Sequence, residues 1–324
     1  MSFKLFASIR SFELQDLHLI ETPIFQIIAH ADEKAKVLDN DFRRIAGLRD
    51  VMSYEKNVIA YAAYECSDDS EAFQQLMTKE LNQLAGRIEA FLLFLWFVKD
   101  NSISLEQVYG QFTIAKAYTW WTGRNVISTC EGKFTNTRFS RTELQDGIQL
   151  LLKYTELIHE EDSANHQSES AIEPSVQISE FRPGIDPYKN ENRVERAISF
   201  LSSARSTPHL PQKITHYMAI LECLLSTDSN EIIHKVSERT AFYLENTKAG
   251  RIAIYKAVKA AYDVRSKFVH GLKPPKKHEQ LCAIAVEADN IIRRVLKRVI
   301  LNDYKTFVQN DEKGLSQYFN ELIF

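Results

Sequence analysis

Between residues 159 and 180 the chain reads HEEDSANHQSESAIEPSVQISE, rich in carboxylates, Ser and Gln and poor in large apolar groups. Such a stretch cannot bury enough apolar surface to offset the entropy lost on ordering it. The chain on either side must therefore build its own core, and 324 residues leave room for two domains of ordinary size. The sequence predicts an α+β domain at 1–158, an acidic polar linker at 159–185 and an all-α bundle of four to six helices at 186–324. Charge follows the same division. Residues 1–180 carry 17 Lys and Arg against 27 Asp and Glu, whereas residues 181–324 carry 23 against 16. A basic C-terminal module suits a polyanionic partner, although solvated helix faces also differ in charge by chance.

Composition removes several classes. Apolar residues make up 44% and charged residues 26%, which excludes a largely disordered or collagen-like chain. Ten Gly and eight Pro are too few for an all-β protein full of tight turns. The longest strongly apolar stretch, 88–98, contains Glu89 and is about half the roughly 20 residues of a membrane-spanning helix. No membrane segment is expected. The opening MSFKLFASIR has neither a sustained apolar core nor a small-residue cleavage site, so no secretory signal is read there. Cys66, Cys130, Cys223 and Cys282 lie far apart without a CxxC pair, which suits neither a zinc site nor a disulfide framework. A cytoplasmic protein is the simplest reading.

In the first half, residues 22–30 (TPIFQIIAH) and 57–65 (NVIAYAAYE) read as strands, rich in β-branched and aromatic residues. Residues 70–99 read as a long helix that becomes apolar nearly all round at AFLLFLWFV, the mark of a buried helix end. Residues 117–129 alternate like a strand broken at Gly123, and 143–157 reads as a helix. In the second half, helical spacing predicts segments at 193–205, 213–226, 231–245, 251–269 and 278–304, with a short one near 315–323. The short, turn-rich connections make neighbouring helices antiparallel.

The fourth of these segments ends in AYDVRSKFVHGLKPP. Arg265 and His270 would stand roughly 140° apart on a continuous helix and converge only if the helix ends there. Gly271 as a cap and the following Pro274 and Pro275 supply such an end. A His before a capping Gly is also a common complement to the helix dipole, and R-x4-H strings are frequent by chance.

The surrounding order of segments is more specific. YMAILECLLS (217–226), KVSERTAFYL (235–244) and IYKAVKAAYDVRSKFVHG (254–271) follow one another, giving a Leu-rich helix with Glu222, a helix with Arg239, and the RSKFVHG ending. This resembles the HEPN superfamily, and within it the ApeA-like HEPN domains, over about a third of the chain. The resemblance implies a HEPN-type bundle and a metal-independent endoribonuclease in anti-phage defence or of toxin type, cutting transfer or messenger RNA and leaving a 2′,3′-cyclic phosphate. It implies catalysis by Arg265 and His270, no metal or other cofactor, and a homodimer formed across the motif. A possible antitoxin or phage-derived trigger would be a further partner. The chemistry fits these residues. His has an ordinary pKa of about 6.5, suited to deprotonating the RNA 2′-OH, and Arg offers a planar fork of donors to the phosphorane oxygens.

Around this pair Ser266 could orient His270 or bond a phosphate. Lys267, Lys273, Lys276 and Lys277 form a basic cluster, and Tyr262 could stack on a base, though lysines after a helix are usually solvated and such a Tyr is usually core. Glu222 in an apolar helix needs a partner, and Arg239 is the expected one. His30, His209, His216 and His234 read as ordinary. No P-loop, GxSxG or HExxH string occurs. Two alternatives stay open. One is a non-catalytic HEPN module for RNA, nucleotide or protein contact and dimerisation. The other is a separate activity in the N-terminal domain, where Trp120, Trp121 and Arg124 could meet a ligand.

Overall fold

The computed structural model describes residues 2–65, 73–112, 118–122, 126–165, 191–228, 230–273 and 277–324. The chain divides into two units. The first comprises Met1–Val126, Phe134–Thr155 and Asn165–Arg182, and the second Ile127–Lys133, Glu156–Ala164 and Pro183–Phe324.

The first unit is α/β. Its strands are β1 (Ser2–Arg10), β2 (Phe12–Leu14), β3 (Leu19–Glu21), β4 (Gln26–Ile28), β5 (Val58–Glu65), β6 (Ser104–Phe112), β7 (Tyr118–Thr122) and β8 (Thr137–Phe139). Six of them form a sheet in the order β3-β4-β5-β1-β6-β7, and β2 and β8 form a short parallel pair. β1 lies mid-sheet, antiparallel to both β5 and β6. Phe3, Leu5, Ala7 and Ile9 are buried on one face of β1, and Phe6 and Ser8 on the other. A strand covered on both sides loses the apolar–polar alternation that marks half-buried strands. Helices α1 (Ala31–Val37), α2 (Asn40–Lys56) and α3 (Phe73–Val98) follow in chain order among the strands. On the α2 side, Phe6 packs with Phe42, Tyr54, Ile59 and Tyr109. Lys34 is buried, and its Nζ donates to the Glu55 and Asn57 carbonyls at the end of α2. Burial lowers its pKa to about 8, against a smaller opposing pull from Glu55.

The all-round apolar run of α3 is core, with Phe91, Phe94, Trp96 and Phe97 fully buried. Its Glu80–Val98 portion is long and apolar enough to cross a membrane by length and composition, and 72% of the most apolar window is buried inside the fold. The strongly apolar 88–98 run therefore understates this helix. The strand expected at 22–30 shrinks to β4, because Thr22 and the residues up to Phe25 form a turn closed by Thr22 Oγ1. β7 carries Trp120 and Trp121, whereas Gly123 and Arg124 lie outside the described residues.

Helix α4 (Arg141–Asn165) extends past the expected end at 157. Residues 159–165, assigned to a linker on composition, are thus helical. Tyr304 donates to Glu161, and Lys305 pairs with Glu160 at 3.2 Å, so these carboxylates have partners the sequence does not announce. Residues 166–185 of the expected linker lie outside the described residues.

The C-terminal part of the second unit is helical: α5 (Arg193–Arg205), α6 (Leu210–Leu225), α7 (Ile232–Leu244), α8 (Lys248–Val269), α9 (His278–Arg298), α10 (Tyr304–Gln309) and α11 (Glu312–Ile323). A π-helical turn, Val299–Asp303, interrupts the expected single segment 278–304. The predicted stripe Ile214, Tyr217, Met218, Leu221, Leu224 and Leu225 is fully buried, because α6 packs against α5, α7, α8 and α9. Asn192 caps α5 with a capping box to Glu195, and Thr247 caps α8. Local side-chain bonds thus set the helix starts, while α6 supplies the apolar centre.

Candidate functional site

α8 ends as its sequence predicts. His270 occupies the C-cap, and Gly271 follows with φ of 72°. The Leu272 N–H bonds the Lys267 carbonyl at 2.7 Å, and the Gly271 N–H bonds the Phe268 carbonyl at 3.1 Å. This is the Schellman pattern, in which a left-handed residue satisfies the last carbonyls of a helix. The chain reverses at Gly271, one residue after His270. His270 keeps φ of −86° and ψ of 11°, close to helical. The reversal therefore does not swing His270 round towards Arg265. The two side chains share no hydrogen bond, and His270 is exposed without a side-chain partner among the described residues.

Arg265 is held from another direction. Its Nη2 donates to Glu222 Oε2 at 3.1 Å, and the Tyr262 hydroxyl donates to Glu222 Oε1 at 2.8 Å. The guanidinium also lies 5.7 Å from the Tyr262 ring centroid. The expected Glu222–Arg239 pair is absent. Arg239 instead donates to the Leu225 carbonyl and to Thr227 Oγ1, and stacks over Phe319. Arg239 thereby closes the end of α6, and burial lowers its pKa. Helix packing, not proximity along the chain, assigns the Glu222 carboxylate to Arg265.

Tyr262 is 2% exposed. Its ring is a core wall and cannot serve as an open stacking surface, which corrects that expectation. Burial first, then the charge and hydrogen bond of Glu222, raise its pKa, so the phenol stays a donor. Lys267 pairs with Asp263 at 2.8 Å one turn earlier, which offsets its charge for an incoming phosphate. Lys273 is exposed and without a partner among the described residues, and the half-buried Ser266 has no side-chain hydrogen bond among them. Lys277 lies at the cap of α9, and Lys276, Pro274 and Pro275 fall outside the described residues.

A cavity of about 570 Å³ lies between α6, α7 and α8. Glu222 lines it from α6, Glu231, Ile232, Ile233 and His234 from the start of α7, and Tyr255, Lys259, Tyr262 and Arg265 from α8. His234 Nδ1 and the Tyr255 hydroxyl share a hydrogen bond of 2.9 Å, and Lys259 Nζ sits 5.5 Å from the Tyr255 ring centroid. Sequence reasoning treats His234 as ordinary and passes over Tyr255 and Lys259. Their signal is the spacing Tyr255, Lys259, Tyr262, Arg265, which places an alternating aromatic and basic row on one face of α8.

Comparison with family models, with curated proteins and with solved structures finds no match for this chain.

Proposed function

We propose that the chain is a metal-independent endoribonuclease of HEPN type, acting in phage defence or as a toxin, with RNA as substrate. One observation carries the reading. A solvent-exposed His270, without a side-chain partner among the described residues, caps the same helix whose last turns hold Arg265 at a cavity edge, fixed there by Glu222. His270 would take the proton of the RNA 2′-OH. The 2′-oxygen then attacks phosphorus, the bond to the 5′-oxygen breaks, that oxygen takes a proton from water and leaves as a 5′-hydroxyl, and a 2′,3′-cyclic phosphate remains. Arg265 would stabilise the charge gathering on the phosphorane oxygens, and Glu222 would keep its guanidinium in one orientation. Lys273 and Ser266, without side-chain partners among the described residues, would meet the RNA backbone.

Within one chain the reversal at Gly271 leaves His270 and Arg265 unlinked, which favours a site completed by a second copy. Val269 and Leu272, 56% and 61% exposed beside His270, offer apolar surface for a contact between two copies. The test is cleavage of total bacterial RNA in EDTA by wild type, Arg265→Ala and His270→Ala. Discrete fragments ending in cyclic phosphate from wild type alone support the reading. Mixing the two inactive variants restores activity if one copy supplies Arg265 and the other His270. The same lack of a direct link favours a second reading, a bundle that binds RNA without cutting it. Retained RNA binding with no cleavage by any of the three proteins would select that one.

A further inference from the structure

We infer that the cavity between α6, α7 and α8 is a subsite for one unstacked nucleotide of single-stranded RNA, with the base against His234–Tyr255 and a phosphate at Lys259. The choice of RNA as ligand rests on the nuclease reading; the chemistry of the subsite does not.

The volume of about 570 Å³ falls within the roughly 300–1,000 Å³ of small-ligand sites. Its shape follows α8. Tyr255 and Arg265 stand ten positions apart, about 15 Å along the axis at 1.5 Å per residue. That is too long for one reacting phosphate and suits a strand running from Arg265 towards Tyr255. The two ends differ in charge. At the Arg265 end the guanidinium already has Glu222, whereas Lys259 is exposed and makes no ion pair among the described residues. An ammonium without a carboxylate beside an aromatic ring is the pattern of single-strand grooves, where cations track the backbone and rings carry the bases.

The ring on offer is Tyr255, half-buried and oriented by its hydrogen bond to His234. Tyr262, buried below, is closed to a base. His234 spends Nδ1 on Tyr255, leaving Nε2 without a protein partner among the described residues. Glu231 adds a carboxylate at the rim. It adopts a left-handed conformation, φ of 51°, which is uncommon for a residue with a side chain. A carboxylate accepts from the exocyclic amine of adenine, cytosine or guanine, and uracil has none. The subsite therefore prefers an amine-bearing base to uracil.

The test uses the full chain and uncleavable 2′-O-methyl octanucleotides of A or U, read by fluorescence anisotropy across a salt series. Wild type should bind the A octamer more tightly than the U octamer. Tyr255→Leu should weaken binding roughly 5- to 150-fold, the range for one lost base–aromatic stack. Tyr255→Phe keeps the ring and should lose far less, which separates stacking from folding. Lys259→Gln should lower the slope of log K against log salt by about 0.7, the value for one phosphate contact on a single strand. Glu231→Gln should narrow the A-over-U preference. Wild-type affinity, slope and preference in all four variants overturn the subsite, as does failure of wild type to bind either oligonucleotide. RNA cleavage alongside unaltered variants leaves the nuclease standing and removes the subsite. Binding that depends on Tyr255 and Lys259 without any cleavage does the reverse.

Discussion

Replacing Glu222 by Ala removes two interactions at once. The Tyr262 hydroxyl, 2.8 Å from Oε1 on a residue 2% exposed, loses its acceptor, and a buried donor left unsatisfied costs about 1–3 kcal/mol. The Arg265 pair joins side chains 32% and 23% exposed, and a pair so open to solvent contributes only about 0.2–1 kcal/mol. The expected loss is therefore about 2–3 kcal/mol, most of it from the tyrosine. Glu222→Gln keeps an oxygen acceptor for Tyr262 and should cost about 1 kcal/mol or less. A Tyr262→Phe background should reduce the cost of Glu222→Ala by about 1–2 kcal/mol, because the stranded donor is gone. An Arg239→Met background should leave it unchanged within about 0.5 kcal/mol, since Arg239 shares no partner with Glu222. Urea unfolding followed by two probes isolates the right unit. Trp96, Trp120 and Trp121 all lie in Met1–Val126, so Trp fluorescence reports the first unit, while far-UV circular dichroism also follows the helical second unit. Equal costs for Ala and Gln, or a stronger coupling to Arg239 than to Tyr262, would refute this account of the Glu222 partners.

His270→Ala should change stability by less than about 0.5 kcal/mol in the same assay, because the side chain is exposed and has no partner among the described residues; a larger loss would mean the imidazole is structural. Gly271→Ala should cost about 1 kcal/mol, since φ of 72° penalises a Cβ although nothing crowds the position. Burial, reinforced by carboxylates at Asp303, Glu222 and Glu161, raises the pKa values of Tyr243, Tyr262 and Tyr304 above that of an unfolded tyrosine. Their contribution is whole below about pH 10 and falls as the unfolded chain ionises above it, by about 1.4 kcal/mol per tyrosine per pH unit. Each Tyr→Phe variant should flatten that alkaline slope. Lys34 runs the other way. Its folded pKa of about 8 lies below the unfolded value near 10.4, so the unfolded chain binds more protons between them. Trp fluorescence should show the first unit gaining stability from pH 8 to 10 in wild type and not in Lys34→Met.

The helices of the second half were legible because each buries one face, and burial of one face imprints a 3.6-residue period. α5 begins and ends where the helical spacing places it, at Arg193 and Arg205. The end of α8 was equally local, a Gly needing a left-handed backbone after the last helical residue. Strand β1 was not legible. With Phe3, Leu5, Ala7 and Ile9 buried on one side and Phe6 and Ser8 on the other, no alternation survives to announce it. Nor was the helical continuation of α4 through 159–165, where partners for Glu160 and Glu161 come from residues more than 140 positions away.

The sequence by itself determined the features that depend on near neighbours: the helical periods, the caps at Asn192 and Thr247, the break at Gly271 and the adjacency of Arg265 to a helix end. Tertiary structure alone decided which carboxylate Arg265 meets, that Tyr262 is buried in the cavity wall while Tyr255 is only half-buried there, and that His234 belongs to that cavity. Each of these pairings joins helices whose contact faces are chosen by how their apolar stripes interlock around α6. Residues 43 apart, such as Glu222 and Arg265, carry no local mark of the distance that packing closes between them.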